Sequence, residues 1–304
     1  MNVEKIVGLV KKDLAEDSKL NTLYYIHLEF EVNSCIRIGV GGARREAFLP
    51  VLKVIHRDKY YPVVPESSWR GALRKIGETI AKSSITEPKN IREEILISHI
   101  EPEEGPITHI DPSEDEINKL KELGERELVE RFAPTYEEAE EALKNMITYL
   151  CPICRLWGGP GVRSRIVLED TVIHEYESYS RTHVGISRIT RTKEEHQLYT
   201  PEYIYVKQLN LNLTIYNIKP ETIEAKILAG TLSWLTKLGL SIGGSKSRGI
   251  GYLKLNTDKS YAYIAELNNI NSPQELIQAL TDIESAYQKI PLEKLIIYLH
   301  KTPK

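Results

Sequence analysis

Pro62-Val-Val-Pro65-Glu-Ser-Ser-Trp-Arg70-Gly-Ala-Leu-Arg74 is a short extended segment that turns into a helix. Each proline fixes its own φ and pushes the residue before it out of the helical region, so Pro62–Pro65 is extended. Ser67 or Ser68 can cap the first turn with its hydroxyl. Trp69, Ala72, Leu73 and Ile76 then recur at three- and four-residue spacing, which gives one apolar helix face. Arg70 and Arg74 stand one turn apart beside the unpaired amides of the helix start, where a phosphate is well placed to bind. Taken alone, such a stretch is more often an ordinary capped helix carrying two solvated arginines.

Upstream, Leu23–Asn33 alternates Tyr24, Ile26, Leu28, Phe30 and Val32 with Tyr25, His27, Glu29 and Glu31, the period of a half-buried strand. It runs into Gly39-Val-Gly-Gly-Ala-Arg-Arg45, a glycine-rich loop ending in Arg44 and Arg45, and then a second extended piece, Leu49–His56. Residues 1–20 read as a short amphipathic helix. Residues 83–163 differ: acidic, interrupted by Pro88, Pro102, Pro106, Pro112 and Pro134, with helices expected near Ser113–Phe132 and Tyr136–Leu150. They read as a mainly helical insertion, or lid, on the core.

A strand is expected at Arg165–Ile173. Residues 175–203 are polar, with Arg181, His183, Arg188, Arg191 and Lys193 among Val184, Ile186 and Ile189, and predict a protruding hairpin. Tyr205–Ile218 alternates as a strand. Pro220 can start the next helix, which ends at Gly239. Gly243-Gly-Ser-Lys-Ser-Arg-Gly-Ile-Gly251 leads to a last strand, Tyr252–Leu255, and residues 258–304 read as a helical extension. Residues 23–82 and 164–257 thus give strand, helix, strand, strand, helix, strand. That is the α+β, ferredoxin-like and RRM-like βαββαβ order, a frequent platform for RNA.

Composition narrows the class. The 304 residues, 41% apolar and 27% charged, suit a globular chain with ample core. A net charge of −3 confines any nucleic-acid surface to a local basic patch. No window has the length and apolarity of a membrane span, and the charged first residues are not a signal peptide, so a cytoplasmic location is expected. Many Ile, Glu, Lys and Tyr with only two Met point towards a thermophile.

Three further patterns bear on chemistry. In Gly243–Gly251, glycines let amides approach a phosphate while Lys246 and Arg248 add charge. It is not a nucleotide-triphosphate loop, because Ser245 separates Gly244 from Lys246 and the segment follows a helix. Cys151-Pro-Ile-Cys154 is half a zinc site, with His99 and His109, or Cys35, as remaining ligands. Two buried cysteines without metal are the simpler reading of one such pair, so a structural zinc is the one cofactor in view. No nucleophile–base constellation is present; His183 and Glu46 are isolated acid–base candidates.

Three stretches in this order carry a resemblance: Pro65–Arg74, Cys151-Pro-Ile-Cys-Arg-Leu-Trp-Gly158 followed by Ser164-Arg-Ile-Val167, and Gly243–Gly251. Together they resemble the RAMP superfamily of CRISPR-associated proteins, closest to the guide-RNA-binding backbone subunits of type III effector complexes, over roughly residues 23–257. The resemblance implies an RRM-like palm, a helical lid and a thumb hairpin, in subunits that stack head to tail along a guide crRNA. It implies as partners that guide, its complementary target RNA, neighbouring RAMP subunits and other subunits of the complex, with no membrane. On this resemblance RNA contacts fall to Arg44, Arg45, Ser67, Ser68, Arg70, Arg74, Arg163, Arg165, Arg181, His183, Arg188, Gly243, Gly244, Lys246 and Arg248. Target-cleaving members carry an aspartate two residues before a Pro-Val pair; here the pair is Pro50-Val51 and the position is Phe48. A structural subunit is therefore the leading expectation. A target-RNA endoribonuclease using Glu46, two residues upstream, is the alternative, and a guide-processing ribonuclease with His183 or His27 as base is the third. The family's glycine before the Ser-Ser pair is replaced by Glu66, which sets a negative charge beside the proposed phosphate position.

Overall fold

The computed structural model describes residues 2–40, 48–85, 87–99, 109, 111–135, 137–186, 193–268, 270 and 272–300, the side chains of residues 193–197 and 279 excepted. Helix α1 (Val3–Asp17) starts where the Asn2 side chain accepts from the Lys5 amide, and it buries Ile6, Val7 and Val10. Strand β1 (Thr22–Val32) follows, with Tyr24, Ile26, Leu28 and Phe30 all fully buried, as the alternation predicts. Strand β2 (Phe48–Leu49) precedes a hairpin of β3 (Lys53–His56) and β4 (Lys59–Val64). Arg57 and Asp58 both have positive φ (49° and 62°), the two-residue turn whose twist matches antiparallel strands.

Strand β4 passes directly into α2 (Glu66–Ser84). Here the sequence expectation needs correction. The helix starts at Glu66, so Ser67 and Ser68 lie inside the first turn and neither caps it; Pro65 holds the cap position. The side chain that meets the helix start is remote, since Asp170 Oδ1 accepts from the Glu66 amide at 2.6 Å.

The next helices are α3 (Ile91–Ser98), α4 (Glu114–Glu122), α5 (Arg126–Phe132), α6 (Ala139–Leu150) and α7 (Pro152–Trp157). The single helix expected over Ser113–Phe132 breaks at Gly124, which takes φ 65° between α4 and α5. Proline in the first turn of α7 costs no hydrogen bond there. One apolar cluster runs unbroken from Phe30 and Trp69 through Ile95, Leu143 and Met146 to Trp157, joining these helices to the sheet.

The expected strand Arg165–Ile173 is two: β5 (Ile166–Leu168), which pairs with a later strand, and β6 (Thr171–Val172), which pairs with β4. Strands β7 (Glu177–Ser180), β8 (His183–Ile186) and β9 (Lys193–Tyr205) form the expected antiparallel hairpin region. β2 adds to β9 in parallel. Then come β10 (Gln208–Tyr216), α8 (Ile223–Leu238) and β11 (Leu240–Ser241). Thr222, not Pro220, caps α8, its hydroxyl accepting from the Ala225 amide at 3.2 Å.

Strand β12 (Tyr252–Glu266) is far longer than expected. The polar run Asn256–Ser260 reads as a turn, yet it is absorbed as an irregularity opposite His27–Glu29, after which pairing with β1 resumes. Ser260 Oγ accepts from the Glu29 amide at 3.0 Å across that break. The chain closes with α9 (Pro273–Thr281), α10 (Ile283–Ala286), β13 (Ile290–Pro291) and α11 (Leu292–His300).

The main sheet has the order β11-β12-β1-β10-β5, its neighbours antiparallel. On one face Phe30 stacks on Trp69 of α2 at 5.7 Å, and α8 packs beside α2. On the other, Leu23, Ala265 and Leu267 are packed by Leu276, Ile283 and Tyr287 from the last helices. No helix among the described residues is long and apolar enough to cross a membrane.

Candidate nucleic-acid interface and metal centre

The glycine-rich loop joins β11 to β12 and lies on Cys35–Ile38, the chain just past β1. The Gly244 amide donates to the Arg37 carbonyl at 2.8 Å and the Gly251 amide to the Cys35 carbonyl at 2.7 Å. Gly243 (φ 74°) comes so close that a Cβ would stand 2.3 Å from the Arg37 carbonyl, and at Gly251 (φ 84°) one would stand 2.0 Å from that of Ile242. These glycines are thus demanded by backbone packing. The tip of the loop is different: Lys246 and Arg248 sit on a short exposed turn.

From that tip a ladder of rings runs into the hairpin. Arg248 NH1 donates to the Tyr199 hydroxyl, and its guanidinium lies 5.7 Å from the Tyr199 ring centre. Tyr199 stacks on His183 at 5.3 Å, and His183 Nε2 is 2.9 Å from the Tyr203 hydroxyl. Tyr203 stacks on Tyr179 at 5.4 Å, and the Tyr179 hydroxyl reaches Cys35 Sγ. Alternation explains the arrangement, because Tyr199 and Tyr203 share one face of β9 and meet His183 and Tyr179 across the ladder. Burial, with Arg248 and Arg181, holds His183 below the ordinary histidine range, so its ring is neutral at neutral pH. Arg181 is exposed at the same hairpin. Arg37, which the sequence reading passed over, completes the cationic set: its guanidinium lies against Gly39 and Gly244, and its Nε has no partner among the described residues. Its signal was its place, two residues before the first glycine of Gly39–Gly42.

Arg44, Arg45, Glu46 and Arg188 lie outside the described residues. Phe48, where an aspartate would be expected in a cutting relative, is exposed and pairs with Thr200. Close by in the chain pairing, the buried Glu202 is fully engaged, accepting from the Val51 amide at 3.1 Å and from Lys53 Nζ at 2.8 Å. His27, on β1, stacks on Tyr261 at 4.9 Å and meets Asn212 Oδ1 at 2.8 Å, so its ring is engaged by a phenol and an amide rather than by a nucleophile or an acid.

The arginines of α2 have another environment. Arg70 pairs with Glu66 and donates to the Trp157 carbonyl at 3.0 Å, to Ser164 Oγ at 2.7 Å and to the Ile166 carbonyl at 3.2 Å. Arg74 donates to Glu78 at 2.8 Å and to the Gly158 carbonyl at 2.7 Å. Both staple α2 to the α7–β5 junction, and Asp170 sits at the helix start. Ser67 is exposed and Ser68 half-buried. Arg165 is held by Asp17, whereas Arg163 is exposed on a groove of 890 Å³ that Arg131, Phe132 and Tyr149 also line. Arg165 precedes β5, at the opposite edge of the main sheet from the glycine loop.

A second constellation lies behind α2. His99 Nδ1 is 3.5 Å from Cys151 Sγ and 3.9 Å from Cys154 Sγ; His109 Nε2 is 3.6 Å from Cys154 Sγ. The four ligand atoms all lie within 4.8 Å of one another. Cys151 holds the cap position of α7 and Cys154 its first turn, while His99 ends α3. Cys35, the other sequence candidate, is elsewhere, against Tyr179. A thiol hydrogen bond from Cys151, with those of His109 and His99, outweighs burial and takes the Cys154 thiol down to about 3, while burial pushes Cys151 well up. Burial works against a charge on His99, but its contacts with Cys154 and Glu78 win and raise it. Two soft sulfurs and two imidazoles at this spacing are a donor set that zinc accepts.

A family model of the RAMP superfamily matches residues 29–254, from within β1 to the start of β12. The chain belongs to the RAMP superfamily. No curated protein matches it. Membership makes it a CRISPR-associated protein, with RNA and the other components of a CRISPR complex as its general partners. The matched span of this RAMP protein contains the glycine loop, the ring ladder and the four-ligand cluster, and leaves out α1 and the C-terminal helices.

Proposed function

We propose that this RAMP protein is a backbone subunit of a type III CRISPR effector complex, binding guide crRNA and positioning complementary target RNA in the cytoplasm. The observation that carries the reading is the meeting of loop and hairpin: Arg248 over Tyr199, Tyr199 on His183, with Lys246, Arg181 and Arg37 around them. Exposed cations beside ring faces suit a single-stranded backbone and its bases without reading sequence. The strand order β12-β1-β10-β5 with two helices on one face supports a ferredoxin-like palm built from residues 23–82 and 164–257. Residues 83–163 then serve as the lid, 175–203 as the thumb and 258–304 as the C-terminal extension. Subunits of this kind stack head to tail, an open arrangement that a linear guide permits.

Within that surface the phosphate contacts belong to Lys246, Arg248, Arg181 and Arg37, with Arg163 on a separate groove. Arg70 and Arg74, whose donors are spent on carbonyls and carboxylates, hold the scaffold. The subunit positions target RNA and does not cut it, since Phe48 replaces the expected acid.

The test is to purify the protein from its native host and sequence the RNA that accompanies it. Short RNAs sharing a repeat-derived 5′ end are expected; RNA of random length, or none, would contradict the proposal. In the assembled complex, Glu46→Ala is expected to leave cleavage unchanged, and loss of cuts at this subunit's sites would overturn the structural-only role.

A further inference from the structure

We propose that Cys151, Cys154, His99 and His109 bind one Zn²⁺ as a structural clasp between the helical insertion and α7, and that Glu78 is the positioning residue for His99. In a tetrahedral zinc site, bond lengths of about 2.3 Å to sulfur and 2.0–2.1 Å to nitrogen set sulfur–nitrogen edges of about 3.6 Å. The three sulfur–nitrogen separations here are 3.5, 3.6 and 3.9 Å. Both cysteines are fully buried and His99 is 1% exposed, so the ligands close the site and leave no position for a reacting water.

The orientation of His99 follows from its two nitrogens. Nδ1 faces both sulfurs, so Nε2 carries the proton and donates to Glu78 Oε1 at 3.2 Å. A metal-bound histidine commonly has its other nitrogen on a carboxylate in this way, which fixes its tautomer and strengthens its donation. Charge closes as well. Two thiolates balance the zinc ion, and Arg74 balances Glu78 at 2.8 Å. Gly159 lets the chain pass the sulfur, since a Cβ there would stand 2.9 Å from Cys154 Sγ.

The chain logic supports a clasp. His99 and His109 lie in the insertion, and Cys151 follows His99 by 52 positions, so metal would close a long loop. The chain Glu78–Arg74–Gly158 carbonyl then ties that clasp to α2. The site is independent of RNA binding and adds to the proposed function.

The experiment uses the full-length protein with Zn²⁺ and Co²⁺ as probes. After dialysis, plasma mass spectrometry is expected to find one zinc per chain. Co²⁺ replacing zinc is expected to show a thiolate-to-cobalt band and the intense visible bands of a tetrahedral ion. Cys151→Ser with Cys154→Ser is expected to abolish uptake. Should that variant not fold, the cobalt spectrum of the unaltered protein decides. No zinc in the native protein, or a cobalt spectrum without thiolate ligation, would overturn the site. Glu78→Gln is expected to keep the stoichiometry, weaken zinc about 10–100-fold and shift the cobalt bands. Wild-type affinity with unshifted bands would reduce Glu78 to a partner of Arg74 and overturn its positioning role.

Discussion

The α2–α7 junction and the root of the hairpin both present arginines beside aromatic rings, and they use them in opposite ways. At the junction, Arg70 and Arg74 are turned inward, each spending its donors on a neighbouring carboxylate and on backbone carbonyls of 157–166. At the hairpin root, Arg248 lies on the surface with one tyrosine as partner, and Lys246 and Arg181 are exposed near it. A guanidinium is worth most to stability where it satisfies groups that water cannot reach, and most to RNA where its charge still faces solvent. The same residue type therefore divides between scaffold and ligand according to burial.

Substitutions on each side should separate the two roles. The largest effect is expected from Trp69→Ala, which empties a fully buried site stacked on Phe30 and removes the indole bond to Thr171. Urea denaturation should show a loss of about 3–5 kcal/mol. Arg70→Ala comes next: it strips partners from Ser164 and from the carbonyls of Trp157 and Ile166, and a loss of about 2–3 kcal/mol is expected. In both, protein that remains folded should bind RNA with an unchanged salt slope. A large fall in that slope on Arg70→Ala would mean that this arginine touches phosphate, and the division would fail.

The converse variant is Lys246→Gln with Arg248→Gln. Its unfolding free energy should stay within about 0.5 kcal/mol of wild type, as for other exposed substitutions. The slope of log K against log salt should fall by about 0.7 for each single-strand phosphate that the variant no longer neutralises. His183→Gln gives the smallest effect. Because its surroundings hold His183 below the usual range, it carries no charge at pH 7 and the slope there should not change. Only as pH falls through its lowered value does wild type gain a cation, so the two proteins should diverge there and nowhere above it.

Much of the fold is legible in the sequence because its signals are local. The alternation of Leu23–Asn33 and the three-four spacing after Pro65 each name one element, and both stand where expected. What the sequence hides is long-range. Asp170 meets the start of α2 from across the fold, so Ser67 and Ser68 look like caps and are not. The run Asn256–Ser260 reads as a turn because its pairing with β1 is visible only in three dimensions. The cysteine pair and its two histidines stand out by spacing, but only the fold sets them within one coordination radius, and Glu78 gives no signal at all. Arg70 and Arg74 look alike in sequence to Lys246 and Arg248, and burial alone tells them apart.

The most direct test is ultraviolet crosslinking of the RNA-bound protein followed by mass spectrometry of the peptides. Crosslinks are expected on the ladder at Tyr179, His183 and Tyr199 and on the loop around Arg248. Crosslinks confined to the start of α2, with the hairpin and the glycine loop unmarked, would contradict the assignment of RNA to the hairpin root.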